Sequence, residues 1–67
     1  MPSSVIASYS FKPEKSELLI EFLSGLVYVY TNVPETVYLE FRSARSKGSF
    51  LNRRIKGVYD FRRLPSS

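Results

Sequence analysis

The sequence predicts a small α+β domain: a three-stranded antiparallel β-meander followed by two helices packed on one face. Three observations carry this expectation. Up to Thr31 the chain consists of short runs that alternate in polarity or are β-branched and aromatic throughout. The polar and glycine-bearing breaks between those runs are too short for parallel crossovers, so neighbouring runs pair antiparallel. From Pro34 onward the apolar spacing changes to that of helices.

The first strand is expected over Val5 to Phe11. Val5, Ala7, Tyr9 and Phe11 share one parity, with Ser4, Ser8 and Ser10 on the other. Ile6 interrupts this pattern, which implies a strand covered on both faces near its start. Lys12-Pro13-Glu14-Lys15 is polar and contains a proline that cannot donate to a ladder, so it reads as a turn. Leu18, Ile20 and Phe22 then alternate with Leu19, Glu21 and Leu23, giving the second strand. Ser24-Gly25 closes the hairpin, because glycine accepts the positive φ a tight turn requires. Val27-Tyr28-Val29-Tyr30-Thr31 is β-branched or aromatic at each position and forms the third strand.

Pro34 suits the first turn of a helix, having a fixed φ and no N–H to leave unpaired, and Glu35 complements the helix dipole there. Val37, Phe41 and Ala44 fall at i, i+4 and i+7 with Tyr38 beside them, an inward stripe; Glu35, Leu39 and Arg42 point away. Ser43 to Gly48 is a break. Ser46 is the expected cap of a second helix, with Leu51, Ile55 and Val58 inward, Tyr59 alongside, and Arg53 and Lys56 outward. Gly57, which costs about 1 kcal/mol inside a helix, marks an alternative end. Asp60 to Ser67 reads as a loosely ordered basic tail.

The 67 residues leave room for one domain, 1–67, with its core at about 3–63. A chain of this size buries only about 60% of its unfolded surface, so the core has little to spare. Cysteine and histidine are both absent. That excludes a disulfide framework, thiolate metal sites and imidazole-based catalysis, so neither cofactor nor metal is expected. No apolar run approaches the ~20 residues that span a bilayer. The start Met1-Pro2-Ser3-Ser4 lacks the features of a secretory signal, and the expected location is the cytoplasm.

Charge divides the chain at Phe41. After it, Arg42, Arg45, Lys47, Arg53, Arg54, Lys56, Arg62 and Arg63 face a single acid, Asp60. Before it, Lys12 and Lys15 are outweighed by Glu14, Glu17, Glu21, Glu35 and Glu40. Within a net charge of +4 this split predicts one electropositive face, which a polyanion selects.

The ordered set of Tyr28-Val29-Tyr30, Val33-Pro34, Ala44-x-Ser46-x-Gly48, Asn52 and Ile55 resembles the KTSC domain family, over roughly Ser3 to Arg63. This short module is named for its place at the C-terminus of some lysyl-tRNA synthetases, and stand-alone versions of similar length occur in bacteria and phages. The resemblance implies the fold and, through the synthetase context, suggests RNA binding.

Tyr28 and Tyr30 share a sheet face, being two residues apart on a strand. Opposite a helical stripe they supply the aromatic mass of a core, on the same face as Leu18, Ile20 and Phe22. The alternative makes them a platform for stacked bases. Arg45-Ser46-Lys47-Gly48-Ser49 caps a helix, and its free N–H groups offer an anion site that Arg53 and Arg54 would surround. It is not a Walker A loop, since the glycine-rich run before the lysine is missing. Arg53, Arg54 and Lys56, with Arg62 and Arg63 as a tail clamp, would follow a phosphate backbone if they share a face. The early glutamates do not converge by spacing, which argues against an enzyme. Asn52, beside the inward stripe, reads as a half-buried structural amide.

The expected function is therefore non-enzymatic nucleic-acid binding, RNA before DNA, through Arg45, Lys47, Arg53, Arg54, Lys56, Arg62 and Arg63, with Tyr28 and Tyr30 as lesser contacts. The competing expectation is a protein-interaction module or homodimer that uses the outward apolar residues Leu19, Leu23, Val27 and Leu39. A membrane surface is disfavoured, because the basic helix needs its apolar stripe for the core.

Overall fold

Strand pairing organises the molecule. The computed structural model describes residues 6–64. In chain order it contains β1 (Ile6–Lys12), β2 (Glu17–Phe22), β3 (Val27–Tyr30), α1 (Glu35–Ser43), α2 (Lys47–Phe50), a π-helical segment (Leu51–Ile55) and β4 (Phe61–Leu64). The strands form one antiparallel sheet in the order β1-β2-β3-β4. The sheet thus has four strands rather than the three expected, and the supposed tail is its edge strand. Val5, expected to open the first strand, and residues 65–67 lie outside the described residues.

The register explains which residues face the helices. Leu18 pairs with Tyr30 and Ile20 with Tyr28, while Tyr9 and Phe11 lie opposite Ile20 and Leu18. These side chains therefore share one face. Leu18, Ile20 and Tyr30 on that face, with Val33, Phe41, Leu51 and Ile55 from above it, make the buried core. A bulge between Ile6 and Ser8 shifts the register of β1. It turns Ile6 onto the core and leaves Ala7 exposed. The bulge, rather than two-sided coverage, is the reason Ile6 breaks the alternation.

The β2–β3 turn closes with Gly25 N–H donating to the Phe22 carbonyl (2.9 Å) and Phe22 N–H donating to that of Leu26 (2.9 Å). Gly25 sits at φ +97°, where an L side chain is strained. β4 is held by pairing along the whole of β3, from Val27–Leu64 to Tyr30–Phe61. Its approach is fixed where the Asp60 carbonyl accepts the Thr31 N–H at 2.9 Å.

Pro34 caps α1 and Glu35 begins it. Phe41 is fully enclosed, with Val37, Tyr38 and Ala44 half-buried, whereas Glu35, Leu39 and Arg42 are exposed as the periodicity requires. Ser46 caps α2, its Oγ accepting the Ser49 N–H at 3.2 Å. The helix then widens into the π-helical segment, closed by Lys56 N–H donating to the Leu51 carbonyl at 2.7 Å. Leu51 and Ile55 are buried, but Val58 is 62% exposed. Gly57 at φ +78° ends the helical path before Val58 can continue the stripe. Asn52, expected to be half-buried, is exposed. No helix among the described residues is long and apolar enough to cross a membrane.

Candidate nucleic-acid interface

The break between the helices builds a basic groove. Ala44 ends α1, and the chain turns through Arg45 to the Ser46 cap, so that Arg45 projects where α2 begins. The π-helical segment then carries Arg53 and Arg54 past the same point. Together with Ser49 and Phe50 these residues line a groove of about 320 Å³. Phe50 is half-buried, packed edge-on to Phe41 at 6.0 Å, and forms an apolar wall. The Arg54 guanidinium lies 5.3 Å from the centroid of its ring.

The arginines of the groove are not equivalent. Arg54 donates to Glu40 Oε1 at 3.2 Å, an exposed pair weakened by solvent. Arg45 and Arg53 are exposed and form no ion pair among the described residues. Two guanidiniums on the groove are thus available to an anion, and Ser46 and Ser49 line the same groove. The four residues of α2 are too few for a large dipole, so the attraction for anions rests on the arginines.

The other expected contacts divide. Lys47 does not line this groove: its Nζ lies 3.5 Å from the Ala44 carbonyl and 5.8 Å from the Tyr9 ring centroid. Lys56 stands at a second recess of about 370 Å³, formed with Phe22, Leu23, Ser24, Leu26 and Tyr28. Arg62 and Arg63 cannot act as one clamp, because adjacent residues of a strand face opposite ways. Arg63 lies opposite Tyr28 on the helix side. Arg62 lies opposite Val29 on the side away from the helices, where it donates to Glu17 Oε2 at 3.3 Å.

The two tyrosines also differ. Tyr30 is fully enclosed, so its ring offers no face to a base. Its buried hydroxyl finds no hydrogen-bond partner among the described residues. Burial, and secondarily the neighbouring Tyr28, raises its phenol above the ordinary value of 10.0. Tyr28 is only half-buried and stacks on Phe61, with centroids 4.8 Å apart and planes at 12°. Phe61 is 52% exposed. Sequence reasoning missed it because the residue was assigned to a tail; the signal was the shared parity of Phe61 and Arg63 across from Tyr30 and Tyr28.

The apolar residues offered for self-association do not form one patch. Leu19 and Val27 lie on the sheet face away from the helices, Leu23 in the β2–β3 turn and Leu39 on the outer side of α1.

Comparison with known proteins gives a consistent picture. A family model described as the KTSC domain matches residues 2–59. A lysine–tRNA ligase of Nostoc punctiforme is 43% identical over 61 residues, covering 91% of this chain and 11% of the ligase. A lysine–tRNA ligase of another Nostoc species is 39% identical over the same shares. The chain thus spans about a tenth of the length of these relatives. The crystal structure of a KTSC domain protein from Yersinia pestis superposes with a TM-score of 0.89 at 37% identity, covering 97% of this chain and 92% of the other.

Proposed function

Given that this chain belongs to the KTSC domain family, we propose that it is a non-enzymatic, cytoplasmic nucleic-acid-binding module that holds RNA, in preference to DNA, by its phosphates. The observation that carries this reading is the groove in which Arg45 and Arg53 stand without ion-pair partners among the described residues, beside Arg54 and the Phe50 ring. Guanidiniums match phosphate oxygens in pairs, and each neutralised phosphate releases counterions, so binding is favourable and weakly dependent on sequence. The preference for RNA draws on the relatives, whose names make them ligases of a tRNA.

The test is charge reversal. Arg45→Glu combined with Arg53→Glu replaces two exposed side chains, and circular dichroism checks that the fold persists. Affinity for a short single-stranded RNA, read by fluorescence anisotropy, is expected to fall roughly tenfold or more. Unchanged affinity in the folded variant contradicts the proposal.

A further inference from the structure

The helical layer does not cover the whole of its sheet face. Over Leu18, Ile20 and Tyr30 it excludes solvent completely, but toward the β2–β3 turn it stops short. Phe22 and Tyr28 are half-buried there, and Leu23 is 70% exposed. These residues, with Leu26 and Lys56, line the recess of about 370 Å³. Apolar surface that the described residues leave open at an aromatic recess is the kind of place where a ligand binds.

Two features define the occupant. The first is ring geometry. Tyr28 is held by Phe61 stacked at 4.8 Å and by Phe22 edge-on at 5.2 Å with planes at 74°. A ring fixed by two neighbours stacks against a further planar ring at little entropic cost. The second is charge. Lys56 stands at the recess and Arg63 lies opposite Tyr28 on the same face, and neither forms an ion pair among the described residues. No carboxylate among the described residues lines the recess. A flat aromatic group attached to an anion fits both features.

We infer that this recess seats one unpaired base of a single-stranded RNA, against Phe22 and Tyr28, with its phosphate toward Lys56. The neighbouring basic groove favours a strand over a free nucleotide: Lys56 caps the π-helical segment that carries Arg53, so a strand held at Arg45 and Arg53 has a further cation close along the same segment. A base inside a duplex is stacked and paired and cannot enter, so the recess selects single strands. The inference rests on the phosphate-binding reading above and adds to it the state of the RNA.

The experiment uses three polyanions with the full chain: a short mixed-sequence single-stranded RNA, a base-free ribose-phosphate strand of the same length, and heparin. The unsubstituted chain supplies affinities. Because the sequence has no tryptophan, Leu23→Trp, at an exposed position of the recess, supplies a local fluorescence signal. The expected result is binding of the RNA about tenfold tighter than the base-free strand, with tryptophan emission changed at saturation by the RNA alone. Equal affinity for RNA and the base-free strand, with unchanged emission at saturation, overturns the seated base while leaving phosphate binding intact. Failure of all three to bind at low salt overturns both. A mononucleotide that alters emission as strongly as the strand overturns the choice of a strand as occupant.

Discussion

Arg62 on β4 reaches over β3 to Glu17 on β2, Nη1 to Oε2, at 3.3 Å. The pair spans 45 residues of sequence and joins the basic half of the chain to its acidic half. Beneath it lies Val29, which pairs with Arg62 and is 1% exposed even though no helix among the described residues covers that face. The arginine stem thus shields apolar surface while its head is engaged by an acid. This contact removes Arg62 from the surface available to a polyanion.

Arg62→Ala is therefore expected to act on stability rather than on binding. The Arg62 side chain is 57% exposed, so the ion pair accounts for at most about 1 kcal/mol of the loss, a part that shrinks with added salt, while the part from uncovering Val29 does not. Urea unfolding at low and high salt measures it. RNA affinity is expected to stay within about twofold, since no phosphate contact is lost.

β4 is integral to the fold although the family match ends at residue 59. A chain terminated after Asp60 would leave β3 as an edge and uncover Tyr28, Val29 and Tyr30. The expected loss is at least about 2 kcal/mol from exposing a buried valine alone, a large share of what a domain this small possesses. Thermal unfolding by circular dichroism tests it; an unchanged midpoint contradicts this role.

Tyr30 carries a hydroxyl that is buried and unpartnered among the described residues. Removing such a group costs nothing in hydrogen bonding, so Tyr30→Phe is expected to be neutral or stabilising near neutral pH. The folded state holds this phenol protonated above 10.0, the unfolded chain does not. The wild-type domain therefore retains the Tyr30 contribution below pH 10 and loses it as pH rises through the higher folded value. Alkaline unfolding of Tyr30→Phe should start from a smaller pH dependence than wild type. An identical dependence would show that Tyr30 is not the responsible group.

Ser46 separates folding from binding within the groove. Ser46→Ala removes the bond to Ser49 N–H and is expected to cost about 1 kcal/mol. Ser46→Asp keeps a cap but brings a negative charge among Arg45, Arg53 and Arg54. Near-wild-type stability with weakened RNA binding is expected of it, read by thermal unfolding and anisotropy.

Much of the fold is legible in the sequence wherever one period governs. Leu18, Ile20, Tyr28 and Tyr30 show their common face through spacing by two, and Val37 and Phe41 show theirs through helical spacing. The Ser46 cap is equally local. β4 is not legible, because Phe61-Arg62-Arg63-Leu64 becomes a strand only through the open edge of β3, which adjacent residues do not reveal. The bulge near Ala7 and the positive φ of Gly57 each interrupt a period, which is why Ile6 and Val58 depart from their patterns. For the candidate site, basic residues are visible as composition, but their grouping depends on tertiary placement. Arg45 and Arg53 meet at the groove, Lys56 stands by another recess, and Arg62 and Arg63 part across the sheet.

The most direct measurement is the salt dependence of single-stranded RNA binding by the unsubstituted chain. Arg45 and Arg53 are the groove arginines without ion pairs among the described residues; if each neutralises one phosphate, log affinity falls against log salt with a slope of about −1.4. A slope near that value, flattened in the Arg45→Glu, Arg53→Glu variant, is the predicted result. Affinity independent of salt, or no binding even at low ionic strength, would contradict phosphate recognition by this surface.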